Sequence, residues 1–144
     1  MGKIYYVMGK SASGKDTIYK RLVKELPEFG TVRMYTTRPI RDGETNGVEY
    51  IFTDEKQLQT MKDAGKVIEC RTYDTIYGPW SYFTADDGQI DLGSGSYLMM
   101  GTLESYEKLC SYYGAEVMVP LYIHVEDRIR LQRALDRENT QKNP

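Results

Sequence analysis

Two rhythms of apolar positions run along this chain of 144 residues. Lys3 to Met8 is short, apolar and rich in β-branched and aromatic residues, which predicts a strand, and it leads directly into the glycine loop Gly9-Lys10-Ser11-Ala12-Ser13-Gly14-Lys15-Asp16-Thr17. From Lys15 to Leu26 the rhythm changes: Ile18, Leu22, Val23 and Leu26 recur at helical spacing, and Pro27 stops the helix. Thr31 to Tyr35 predicts a second strand, Arg38 to Glu44 a charged, turn-rich loop, and Glu49-Tyr50-Ile51-Phe52 a further strand. Asp54 to Ala64, with Leu58 and Met61 on one face and Gly65 at its end, predicts a short helix. Short strands follow around Val67 to Arg71 and near Tyr82 to Phe83, so the middle of the chain reads as a small mixed α/β insert. Tyr97 to Met100 and Val119 to Val125 are apolar runs suited to central parallel strands, with a helix from Leu103 to Tyr113 between them. A last helix is predicted from about Glu126 to Glu138, followed by a polar, frayed tail from Asn139 to Pro144.

Composition narrows the class. A chain about 40% hydrophobic and 28% charged suits one globular unit with a real core, and a formal charge of -2 gives no basic field directed at nucleic acid or an anionic membrane. Cys70 and Cys110, lacking CxxC spacing, read as reduced, small buried residues, which fits a cytoplasmic protein. The lone His124 reads as structural, at the end of the last strand. No signal-like or membrane-spanning run is found, so a soluble, intracellular chain is expected, with its oligomeric state open.

The chemistry is concentrated in the first loop. Gly9, Gly14 and Lys15 meet the spacing G-x-x-x-x-G-K between a predicted strand and helix. Such glycines let backbone N–H groups turn inward around phosphates, the helix N-terminus adds positive potential, and Lys15 brings a full charge to the β and γ oxygens. ATP is the expected ligand of Gly9 to Thr17. Asp16 stands where Ser or Thr normally holds Mg²⁺, and either its carboxylate or the neighbouring Thr17 hydroxyl supplies a hard oxygen for that ion.

Tyr35-Thr36-Thr37-Arg38-Pro39-Ile40-Arg41-Asp42-Gly43-Glu44, then Gly47-Val48-Glu49-Tyr50-Ile51-Phe52, resembles the GMP-binding segment of guanylate kinases. Gly65-Lys66-Val67-Ile68-Glu69 and Tyr77-Gly78 resemble the family's next two nucleotide-binding stretches. The resemblance implies the P-loop nucleoside-monophosphate-kinase fold: a parallel sheet flanked by helices, residues 1–34 and 83–144, with an inserted mixed α/β GMP-binding domain at 35–82 and a hinge between them. It implies that Arg38, Arg41, Tyr50 and Tyr77 hold the monophosphate beside Gly78, and that Glu69 reads the base. Guanidinium forks suit phosphate oxygens, and a carboxylate accepts from both N1–H and the exocyclic amine of guanine. Arg133 and Arg137, four apart on one helix face, resemble lid-side arginines, so that Lys15, Arg38, Arg133 and Arg137 are the expected catalytic side chains.

The implied activity is transfer of the ATP γ-phosphoryl to GMP with Mg²⁺. Met34 and Pro79 stand near positions where the family carries hydroxyl residues, and Met99 and Gly101 where it carries acids. The family also continues with a further arginine-bearing helix, a strand and a helix, so a C-terminally shortened member is expected. Another phosphorylated acceptor, or a catalytically weak phospholigand-binding module, remain open beside the GMP reading.

Overall fold

The computed structural model describes residues 1–10 and 12–140, so Ser11 and the last four residues of the expected tail lie outside the described residues. The elements run β1 (Ile4–Gly9), α1 (Lys15–Glu25), β2 (Gly30–Thr31), β3 (Tyr35–Thr36), β4 (Ile51–Phe52), α2 (Glu55–Asp63), β5 (Val67–Thr75), β6 (Gly78–Ala85), β7 (Tyr97–Met100), α3 (Leu103–Tyr113), β8 (Met118–Ile123) and α4 (Asp127–Thr140). They fall into two compact units, Met1–Thr31 with Leu92–Pro144, and Val32–Asp91.

The first unit is built on a parallel sheet in the order β2-β7-β1-β8. β1 sits between two parallel neighbours, with Ile4 opposite Tyr97 on β7 and Met118 on β8. Burial on both faces explains its continuous apolar run: Ile4, Tyr6, Val7 and Met8 are all buried. Leu98, Met99, Leu109, Val117 and Met118 complete that core. α1 packs against β1 and β7, and α3 against β1 and β8. α3 starts at an N-cap, Thr102, whose hydroxyl accepts from the Ser105 N–H at 3.2 Å. Among the described residues β8 pairs only with β1, and an edge strand of this kind accommodates Pro120.

The second unit holds a mixed sheet in the order β4-β3-β6-β5. β3 and β4 run parallel, while β6 is antiparallel to both β3 and β5. α2 is capped by Asp54, whose carboxylate accepts from the Gln57 N–H at 2.8 Å, and it buries Leu58. Val32, Met34, Phe83 and Ala85 are buried here beside an unusual set of polar side chains: Thr36, Arg38, Glu69, Arg71, Ser81 and Thr84. Buried charges are seldom tolerated without partners, so each member of this polar interior has to be matched by another group.

Tyr35 stacks on Phe83 with ring centroids 4.9 Å apart and donates its hydroxyl to Asp87 Oδ2 at 2.6 Å. Burial, then the Asp87 hydrogen bond and charge, push the phenol up to about 12 from an ordinary value of 10.0. A raised folded value favours the protonated phenol, so the stabilisation is complete below pH 10 and is lost as pH rises toward 12. Tyr35→Phe is expected to flatten the alkaline arm of a stability–pH curve in that window, as read by urea denaturation.

Several sequence expectations need correction. Thr31 to Tyr35 is not one strand: β2 ends at Thr31 in the first sheet, and β3 begins at Tyr35 in the second. The alternation runs unbroken across a boundary between units, which periodicity cannot register. The expected domain edge at 82/83 cuts through β6, and the compact unit extends to Asp91. β5 and β6 are longer than expected because they form one hairpin through Ile76 and Tyr77. Cys70 and Cys110 are free thiols, half-buried rather than buried. His124 lies just past β8 and is exposed, and α4 continues through Asn139 and Thr140 where a frayed tail was expected. Among the described residues no helix is long and apolar enough to cross a membrane.

Candidate functional site

Each unit carries one cluster of candidate residues. In the first unit the chain turns from β1 into α1 with Ala12 at φ 62° and Gly14, the helix N-cap, at φ 87°. Both lie in the left-handed region, and Gly14 occupies it without a Cβ penalty. The turn closes through Ser13 N–H to the Lys10 carbonyl at 3.1 Å. Ser13 is 3% exposed, and its hydroxyl has no hydrogen-bond partner among the described residues. An orphaned buried hydroxyl beside the open N–H groups of a helix start is the donor set an anion needs. Lys15 opens α1, and Asp16 and Thr17 follow on its exposed first turn. Mg²⁺ commonly takes one or two protein oxygens and fills its shell from water and phosphate, so Asp16 and Thr17 fit that ion.

Gly9 fits for a steric reason. A Cβ there would lie 2.7 Å from Ser13 Oγ and 2.8 Å from the Ile123 carbonyl oxygen, a backbone atom with little room to give. Gly9→Ala is expected to cost about 1–3 kcal/mol of stability by overpacking, measured as a lowered urea midpoint.

α4 brings Arg133 to the same loop: its Nη1 donates to the Ala12 carbonyl at 3.4 Å and would stand 3.5 Å from a Cβ on Gly14. Arg137 lies one turn farther along and is exposed. At the start of α4, Asp127 pairs with Arg130. Its carboxyl sits below the usual range, chiefly through the Arg130 hydrogen bond and charge, with Lys10 of the loop contributing.

In the second unit Arg38 is 3% exposed and forms a two-pronged pair with Glu44, Nη1 to Oε1 at 2.8 Å and Nη2 to Oε2 at 2.9 Å. Nη1 also donates to the Pro39 carbonyl at 3.1 Å. The hydrogen bonds that Arg38 donates to Glu44 raise the Arg38 guanidinium further above its ordinary value, and the same bonds hold Glu44 below the usual carboxylate range. Arg41 donates its backbone N–H to the same Glu44 oxygen at 2.8 Å, which fixes the loop's turn. The Arg38 guanidinium lies over the rings of Tyr50 and Phe52, 5.3 and 5.5 Å from their centroids.

Glu69 and Arg71 stand two apart on β5 and so face the same side of the strand. Arg71 Nε donates to Glu69 Oε2 at 3.1 Å, and the Thr84 hydroxyl donates to Oε1 at 2.8 Å. Thr84 lies directly across from Glu69 because a bulge between Val67 and Glu69 shifts the register. Arg71 Nη2 reaches the Met34 sulfur at 3.6 Å. Tyr82, paired with both Thr36 and Arg71, joins the two arginine centres: Arg71 lies 6.0 Å from its ring centroid, and the Tyr50 ring meets it at 5.7 Å.

The second unit thus gathers Arg41 and Tyr50 near the buried Arg38, and Glu69 beside the buried Arg71. Tyr77 is placed elsewhere. It occupies the two-residue turn between β5 and β6, 60% exposed and stacked on Trp80 at 5.9 Å, while Gly78 at φ 107° opens β6. Glu69 and Thr75 lie six steps apart along the strand, roughly 20 Å of β5. Met99 is fully buried in the first core, and the Gly101 N–H donates to the Val7 carbonyl at 3.1 Å, so both serve the sheet. Glu44, Arg71, Tyr82 and Thr84 were missed as partners. The Glu69-x-Arg71 spacing was the available signal, since it places opposite charges on one strand face.

Known proteins match this arrangement. The family model described as guanylate kinase matches residues 1–81, more than half of the chain. The chain belongs to the guanylate kinase family. A guanylate kinase of Legionella pneumophila (strain Lens) is 37% identical over 78 residues, 54% of this chain and 37% of that protein. One from Clostridioides difficile (strain 630) is also 37% identical over 78 residues, 54% of this chain and 38% of the relative. In these matches the chain spans little more than a third of its relatives' length. The crystal structure of guanylate kinase from Anaplasma phagocytophilum shares the fold at TM-score 0.67 and 20% identity, covering 93% of this chain and 65% of that one. The α/β fold of a nucleoside-monophosphate kinase therefore extends well beyond residue 81, where the family's sequence match ends. Arg133 and Arg137 lie outside that match, whereas the glycine loop, Arg38, Arg41, Tyr50, Glu69 and Tyr77 lie inside it.

Proposed function

We propose that this protein transfers the γ-phosphoryl group of ATP to GMP. The observation that carries the reading is that one family match, residues 1–81, contains both the glycine loop of the first unit and the Arg38, Tyr50 and Glu69 cluster of the second. Backbone N–H groups of Gly9 to Thr17 and the Ser13 hydroxyl hold the ATP phosphates, and Lys15 neutralises the transferring group. Arg133, already against the loop, and Arg137 on the same helix face stabilise charge on the phosphoryl oxygens. Arg38, Arg41 and Tyr50 hold the acceptor phosphate, and Glu69 accepts from the donors of guanine. Mg²⁺, when bound at Asp16 or Thr17, offsets phosphate charge. Tyr77, whose ring stacks on Trp80 in the hairpin turn, adds its hydroxyl to the acceptor phosphate.

The test is coupled ADP release with ATP-Mg and each of GMP, dGMP, AMP, UMP and CMP. Turnover confined to the guanine acceptors supports the reading. No turnover with any acceptor, despite ATP binding, overturns it.

A further inference from the structure

Arg71 is an expensive residue to place where it is. It is 8% exposed, and its partners are Glu69 Oε2 at 3.1 Å, the Met34 sulfur at 3.6 Å and the neighbouring Tyr73 hydroxyl. A thioether is a weak acceptor, so the Nη2 donor is poorly matched in a site where unmet hydrogen-bonding capacity is costly. The Glu69 oxygens each accept one hydrogen bond, from Arg71 and from Thr84, and each carboxylate oxygen has a second lone pair to offer. Side by side, the two residues present an acceptor edge and a strong donor edge. Guanine has the complementary pattern, with donors at N1 and the 2-amine beside an acceptor at O6. Adenine opposes it at both places, since its N1 accepts and its N6 donates.

Resting on the proposed GMP acceptor, we propose that Arg71 is a second base-reading residue, its Nη2 donor turning from the Met34 sulfur to guanine O6 while Glu69 takes N1–H and the 2-amine. Met34 provides a yielding partner that occupies the donor until a carbonyl replaces it. Base choice thus rests on an ion pair whose two halves read opposite polarities.

The experiment compares GMP with 6-thio-GMP, which keeps N1–H and the 2-amine but carries a weakly accepting sulfur at position 6. Affinities are measured by calorimetry on the full chain for wild type, Arg71→Met and Arg71→Lys. Wild type is expected to prefer GMP by about tenfold or more, the usual scale for a hydrogen bond to a charged group. Arg71→Met is expected to bind both ligands weakly with a ratio near one, and Arg71→Lys to keep part of the preference. An undiminished ratio in Arg71→Met would mean that Arg71 only holds Glu69, and equal wild-type affinities for the two ligands would overturn the proposal without any variant. Wild type that binds no GMP at all defeats the GMP reading itself, and the proposal with it, before the comparison begins.

Discussion

Glu69→Ala is expected to destabilise the protein by about 3–5 kcal/mol, because it strands the Arg71 charge in the interior of the second unit. The ion pair has side-chain exposures of 8% for Arg71 and 2% for Glu69, so little solvent is at hand to compensate for the lost carboxylate. The Thr84 hydroxyl loses its acceptor in the same step. The double variant Glu69→Leu with Arg71→Met is expected to regain most of that stability, since exchanging a buried pair for apolar residues is often neutral or better. Urea denaturation of Glu69→Ala, the double variant and the wild type reads both changes. If the single variant costs under about 1 kcal/mol, a value typical of exposed pairs, the buried pair does not hold this unit together. The double variant should still lose GMP binding, which separates folding from recognition.

Lys15→Ala carries the largest expected effect on turnover: a fall of about 10²–10³-fold or more, the scale set by removing one preorganised charge stabiliser. Lys15 lies at the start of α1 and outside the buried core, so the fold should survive with little change in its thermal midpoint. The measurement is coupled ADP release beside a thermal melt. Activity retained within a few-fold would show that Lys15 does not meet the transferring group. Loss of activity together with the fold would trace the defect to structure instead.

What the sequence disclosed follows from how local each constraint is. The glycine loop was legible because a phosphate cradle needs Gly9, Gly14 and Lys15 at fixed spacing within one strand-to-helix turn. β1 and β7, the inner strands of the first sheet, were legible because burial on both faces leaves apolar runs, as in Ile4 to Met8. The second unit resisted. Its sheet is held by β3 against β6 and β6 against β5, pairings that depend on register rather than on periodicity. Tyr77 read as a phosphate ligand from the Tyr-Gly pair, and nothing local announced that β5 would run on to Thr75 and turn back through it. The Arg38–Glu44 pair lay within a quoted segment but closes only when the loop folds, and the Glu69–Thr84 contact spans two strands.

The bulge near the start of β5 has a consequence for how this gene can tolerate change. Val67 opposes Ala85 and Glu69 opposes Thr84, so β5 spends one residue more than β6 across that step. Removing Ile68 would restore an even ladder of the same topology, and Phe83 to Ala85 could remain in place. Every later β5 residue would keep its partner, Glu69 opposite Thr84 and Arg71 opposite Tyr82, and only the extra twist of the bulge would be lost. Loss of one codon beyond the bulge, at Cys70, would instead make Glu69 and Arg71 immediate neighbours on opposite faces and part the ion pair, so length in this strand should be far more constrained after the bulge than at it.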